Sequence, residues 1–309
     1  TCALPISTVM GAAMNLTQIN LLWEEYKAKY DIDSDAKITA VRYDTDKYVE
    51  GCFNLLELMD GQYILHLNPN VHLYSESYVK FILFHEFTHF YDFIKCPYTE
   101  KLPIIMWMNA YSEYHACRVT LARFIESLTL TAVHMDKAQL PGPYREISIR
   151  HLLIESVYRT KFYFDAFFKE YHLSDFAGGF RNLMYLFGYL SLFQNDDKMV
   201  DETLTALHIN DELFHTMYQA LKDMDFDKVI EMYQAITDKA TLTYLKAMFR
   251  RYYPPQILSD EEIDGITLDN YRDHVKRLDQ KMRELHVFSP TKEQEQMLSA
   301  EAALAQLYF

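Results

Sequence analysis

The sequence predicts an α+β protein: a small antiparallel sheet, then a pair of long helices, then a largely α-helical C-terminal extension. Three observations carry this. Short alternating or β-branched segments cluster between residues 37 and 67, and an Asp-Gly pair divides two of them. From Ser75 onward the apolar residues recur at helical spacing almost to the end. Only 8 Gly and 9 Pro punctuate 309 residues of which half are apolar, a globular and helix-leaning composition.

The elements follow in order. Asn15 to Tyr30 reads as a helix, because Leu16, Ile19, Leu22, Trp23 and Tyr26 share a face. Lys37 to Tyr43 reads as a strand. Gly51 to Met59 and Gln62 to Leu67 read as two more, joined at Asp60-Gly61 by a two-residue hairpin turn. Asn68-Pro69-Asn70 closes the strand region. A long helix is expected over Ser77 to Ile94, stopped near Pro97, and a second over Ile104 to Leu130. Pro141-Gly142-Pro143 marks a turn and a subdomain boundary. Helices are then expected near 146–170, 175–194, 198–207, 211–222, 226–237 and 240–252. Pro254-Pro255 breaks the chain before two more, near 268–285 and 291–307. This divides the chain into residues 15–140, an α+β domain, and 141–309, an all-helical subdomain. Residues 1–14 are set aside as an artefact or a disordered N-terminus. Thr1 to Ser7 reads like a translated sequencing adapter, and Ala3 to Met14 lacks the basic start of a signal peptide.

Composition narrows the partners. A formal net charge of -14, with no basic run, disfavours phosphate backbones, so no nucleic-acid partner is expected. The most apolar segment, Leu183 to Phe193, is too short to span a membrane and carries Gly188. Cysteines 2, 52, 96 and 117 lack the close spacing of a thiolate metal site. Cys52, Cys96 and Cys117 read as small buried hydrophobes, and a reducing cytoplasm is the expected compartment.

One motif carries chemistry. His85-Glu86-Phe87-Thr88-His89 matches H-E-x-x-H inside a strong helical pattern. Residues four apart share a helix face, so His85 and His89 can offer imidazole nitrogens to one cation. Glu86 lies about 100° round the helix. There it misses the metal but can act as general base on a water. A third ligand is required, and Glu113 on the next helix meets the need. Pro97 and Pro103 reverse the chain between them, and Asn109, Ala116 and Cys117 beside Glu113 are small enough for close helix packing. The alternative, a solvated surface glutamate, carries less weight for Glu113.

A small sheet, an H-E-x-x-H helix and a following Glu-x-x-Ala helix resemble the gluzincin metallopeptidases, and among them the ImmA/IrrE-type family. His85, Glu86, His89, Glu113 and Ala116 match that pattern over residues 15–130, whereas Thr88 stands where the family often has Gly and Val119-Thr120 where it has Phe-Ala. The resemblance implies a Zn2+ cofactor held by His85, His89 and Glu113. It also implies peptide-bond hydrolysis, and a peptide or protein substrate bound in extended form along an edge strand, for which Gln62 to Leu67 is the candidate. Helices after residue 140 have no counterpart in it.

Supporting roles stay open. His151, Tyr158 or Tyr163 could donate to an oxyanion, and each is more simply core or surface. Tyr111, Tyr114 and His115 are turned away from Glu113 by the helical angle. Asp92, one turn past His89, is either an acceptor that orients a ligand histidine or a solvated charge, the latter slightly favoured. His66 and His72 line the cleft or occupy ordinary strand and loop positions. The aromatic run Tyr158, Phe162, Tyr163, Phe164, Phe167 and Phe168 reads as core. Two other functions compete with a peptidase: a regulatory or binding protein on the same scaffold, and a structural helical protein in which the motif is a coincidence.

Overall fold

The computed structural model describes residues 14–43, 54–59, 62–95, 101–126, 129–142, 145–253 and 255–284. Asn15 caps α1 (Leu16–Tyr30): its side chain accepts from the Gln18 amide, and the Gln18 side chain accepts in return from the Asn15 amide. Three strands follow, β1 (Ala40–Tyr43), β2 (Asn54–Met59) and β3 (Gln62–Leu67). The Asp60-Gly61 turn lies outside the described residues, but the register it predicts, Met59 opposite Gln62, is present.

The α+β class stands, with a difference in the sheet. Its order is β1-β3-β2: β2 runs antiparallel to β3, while β1 runs parallel to it, Ala40 opposite Ile64 and Tyr43 opposite Leu67. The sheet is therefore mixed rather than antiparallel. β3 is its centre, not the edge expected for Gln62 to Leu67. Local hairpin chemistry predicts the β2–β3 pair; the parallel partner comes from farther along the chain and leaves no turn signature.

One apolar cluster joins α1, the sheet and α2 (Glu76–Lys95). Trp23 of α1 is fully buried and stacks on Tyr26, and its indole N–H donates to the Ala36 carbonyl. Asn20 bonds both the amide and the carbonyl of Ile38, which fixes the approach to β1. From α2, Leu83, Phe84, Phe87 and Phe90 enter this core with almost no exposure. Thr88 is buried with them: it donates to its own Phe84 carbonyl and accepts from the Tyr26 hydroxyl at 2.8 Å. A hydroxyl tie thus joins α1 and α2 inside the core.

α3 (Lys101–Ile125) begins and ends earlier than the periodicity suggests. Glu126 turns left-handed, with φ 54°, and Leu130 pairs with Phe193 in an isolated parallel bridge instead of extending the helix. A short α4 (Ala132–Lys137) and a two-residue hairpin of β4 (Gln139–Leu140) and β5 (Ile147–Ser148) come next. A side chain at Gly142 would sit 2.3 Å from the Arg145 carbonyl, so this turn requires glycine.

The remainder is helical: α5 (Ile149–Glu170), α6 (Leu173–Leu190), α7 (Asp196–Ala206), α8 (Glu212–Asp223), α9 (Phe226–Tyr252), α10 (Asp260–Asp264) and α11 (Tyr271–Glu284). α9 is one helix where two were expected, since no Gly or Pro interrupts Thr237 to Ala240. The expected helix near 291–307 and the break at Pro254 lie outside the described residues. The aromatic run of α5 is not uniformly core. Phe164 and Phe167 are buried, but Tyr158 is 71% exposed and Phe162 is exposed one turn on, because density in sequence does not say which helix face an aromatic takes. Among the described residues, no helix is long and apolar enough to cross a membrane.

Two compact units emerge, neither of them one contiguous stretch. The first takes residues up to 99 with 112–154 and 188–196. The second takes 100–111, 155–187 and the residues from 197 on.

Candidate metal centre

α2 is two-faced. Leu83, Phe87 and Phe90 point into the core, and the stripe at His85 and His89 points the other way. The first unit's part of α3 lies across that stripe. Small residues permit the approach: Ala116 and Cys117 are buried, and the first residue of the returning segment 188–196 is a glycine. A Cβ at Gly188 would lie 2.4 Å from the Tyr114 carbonyl oxygen and 2.8 Å from Cys117 Cβ.

At this junction His85, His89 and Glu113 converge. His85 Nε2 and His89 Nε2 are 3.0 Å apart, and a single Glu113 oxygen, Oε2, is 3.2 Å from each. Among the described residues this is the cluster of three such donors able to hold a metal ion. The spacing tests the fit. A tetrahedral cation bound at about 2.0–2.2 Å needs donor atoms about 3.3–3.5 Å apart, so 3.0–3.2 Å asks for an opening of a few tenths of an ångström. The two imidazoles meet edge to face, with an interplanar angle of 88°. The three side chains keep 15–22% exposure, so the cluster is open to solvent on one side.

The electrostatics match a cation site. Burial pulls His89 toward the neutral form, but the Glu113 charge and hydrogen bond, followed by the charges of Glu86 and Asp92, reverse this and raise its pKa to about 9. Burial likewise pushes Glu113 up, and it is overcome by the His89 charge and the hydrogen bonds from His85 and His89, which hold the carboxyl well below the usual range. Negative charge is concentrated round a point that a divalent ion could occupy in place of protons.

Glu86 is half-buried on the next position of α2, and its charge helps to raise the His89 pKa. Asp92 corrects the expectation of a solvated charge. It is 7% exposed and accepts from the Ser112 hydroxyl at 2.8 Å, and Ser112 lies 2.7 Å from His89 Nδ1. His115 reaches the same carboxylate, with its Nδ1 2.7 Å from Asp92 Oδ1. Neither Ser112 nor His115 is signalled by the motif. Their spacing of three on α3, opposite an acid one turn past His89, is the signal that could have found them.

His66 is fully buried in the central strand, a core position. The side chains of His72 and Asn109 lie outside those described. His151 and Tyr158 are exposed on α5, and Tyr163 packs in the second unit against Gly178. Tyr114 is buried, with its hydroxyl accepting from Arg118. No protein-family model, curated protein sequence or solved structure matches the chain.

Proposed function

We propose that His85, His89 and Glu113 hold Zn2+ and that the protein is a metallopeptidase cleaving an extended peptide or protein segment. The observation that carries this reading is the convergence of two Nε2 atoms and one carboxylate oxygen within 3.2 Å of one another, beside a second carboxylate, Glu86. Bound zinc lowers the pKa of water and polarises a carbonyl. Glu86 then takes the proton of the attacking water on its carboxylate and returns it to the nitrogen of the leaving amine. His85, His89 and Glu113 stay fixed and leave a solvent-facing side for the substrate. Extended substrate would pair along β2 rather than β3, because β2 is the antiparallel strand bonded on one side among the described residues and it lies against α2.

Two imidazoles and a carboxylate also suit iron. Glu86 favours hydrolysis, since a ligand set that only binds a metal has no use for a base beside it. The resemblance to the ImmA/IrrE-type gluzincins points the same way. Metal analysis of the purified protein, with a peptide-library digest before and after chelation, tests the reading. Zinc at one equivalent and chelator-sensitive cleavage are expected. A zinc-loaded protein that cleaves no peptide in the library would sink the peptidase reading.

A further inference from the structure

The two ligand histidines offer the same atom, Nε2, to the cluster, but their other ring nitrogens meet different chemistry. His89 Nδ1 lies 2.7 Å from Ser112 Oγ, and that hydroxyl donates to Asp92 Oδ2 at 2.8 Å. A hydroxyl has one proton and a carboxylate only accepts. The Ser112 proton is therefore committed to Asp92, and its oxygen must accept from His89 Nδ1–H. With Nδ1 protonated, neutral His89 carries its lone pair on Nε2, where a cation needs it. On the far side of Asp92 the same logic holds: His115 Nδ1, 2.7 Å from Oδ1, must be the donor. Every bond in the chain runs toward one buried carboxylate.

His85 is held differently. Its Nδ1 faces Cys117 Sγ at 3.9 Å, a long contact to a weak acceptor, and that buried thiol also bonds Tyr189.

We propose that Ser112 and Asp92 are positioning residues that fix the ligating tautomer and orientation of His89, and that His115 clamps Asp92. This rests on the metal site proposed above. Its sharpest consequence concerns Asp92→Asn. His115 Nδ1–H holds the amide oxygen, so the amide NH2 faces Ser112 and donates to it. The Ser112 proton, released from residue 92, is then free to turn toward His89 Nδ1, which moves the proton of neutral His89 onto Nε2. The geometry survives and the tautomer is wrong, as happens when the aspartate of a serine-protease triad becomes asparagine.

The test uses the full chain, with Zn2+ alone as probe, titrated against a chromophoric chelator. Ser112→Ala and Asp92→Asn should each weaken zinc binding about 10–100-fold, the usual effect of removing the partner behind a ligand histidine. Ser112→Thr, which keeps the hydroxyl, should restore most of that loss. Imidazole 15N shifts of the zinc-free protein above pH 9 should report the Nδ1–H tautomer for His89 in wild type and its loss in Asp92→Asn. Helix content by circular dichroism separates weak binding from failure to fold. Wild-type affinity in both Ser112→Ala and Asp92→Asn overturns the proposal, as does Ser112→Thr binding no better than Ser112→Ala. A wild-type protein that binds no zinc overturns this proposal and the metal site together, whereas zinc binding without hydrolysis overturns only the peptidase reading.

Discussion

The two compact units offer two kinds of buried side-chain hydrogen bond for comparison. In the first, buried hydroxyls and carboxylates bond from one element to another: Tyr26 on α1 to Thr88 on α2, Ser112 on α3 to Asp92 on α2, and Asp92 to His115 on α3. In the second, Thr160 and Thr237 bond back to the carbonyls of Ser156 and Tyr233, four residues earlier in their own helices. Bonds of the second kind form wherever a helix forms and specify nothing beyond it. Those of the first kind hold only if two elements meet in one register, and a missed bond leaves a buried group unpaired. The first unit therefore carries buried groups whose positions depend on how α1, α2 and α3 pack.

The comparison is open to attack at four points. Glu86→Gln should have the largest effect: zinc retained, with kcat for peptide cleavage reduced about 10²–10⁴-fold, the range for loss of a general base. Cleavage that survives this change refutes the role of Glu86. Next comes Glu113→Ala, which removes a donor 3.2 Å from both histidines. Its zinc affinity should drop by more than the about 10–100-fold expected for a supporting residue. Equilibrium dialysis measures it, and an undiminished affinity excludes Glu113 as a ligand.

Acidity comes third. With a pKa of about 9, His89 is protonated at neutral pH in the metal-free protein. Zinc must displace that proton, so affinity should climb as pH rises toward 9, and calorimetry in buffers of different ionisation enthalpy should detect about one proton released. For the metal-free protein the sign is opposite. The folded-state pKa exceeds the ordinary value of 6.5, so the stabilisation is complete below about 6.5 and is lost as pH rises through about 9. Unfolding midpoints in chelator across this range check it. The smallest effect separates the two units directly. Thr88→Val strands the Tyr26 hydroxyl in the core and should cost about 1–3 kcal/mol, whereas Thr237→Val removes only a local bond and should cost about 0.5 kcal/mol or less. Equal losses in denaturant titrations would erase the distinction.

What could be read in advance follows the range of each interaction. His85, Glu86 and His89 were legible because helical geometry fixes their mutual placement over four residues. Glu113 was legible because a metal site held by two histidines needs an acid and because small residues flanked it. Ser112 and His115 were not, and Asp92 only as one of two readings, since their roles exist only once α2 and α3 are packed in register, and an aspartate near a helix end is ordinarily solvated. The central place of β3 escaped for a similar reason: its parallel neighbour β1 comes from 24 residues upstream, Ala40 to Ile64. The crowding of Tyr158 and Phe162 in the sequence points to core, whereas both side chains are exposed, because crowding does not say which helix face is buried.

Gly188 has a practical consequence for anyone wishing to shorten this protein. It abuts the backbone of Tyr114 and the side chain of Cys117, the residues that bracket His115 and Ala116 on the helix of Glu113, and its neighbour Tyr189 bonds Cys117. A fragment trimmed at residue 140 would keep every proposed zinc ligand and strip the back of the helix that presents one of them. The compact unit that holds the centre is discontinuous, so a minimised version calls for a graft of residues 188–196 rather than a cut.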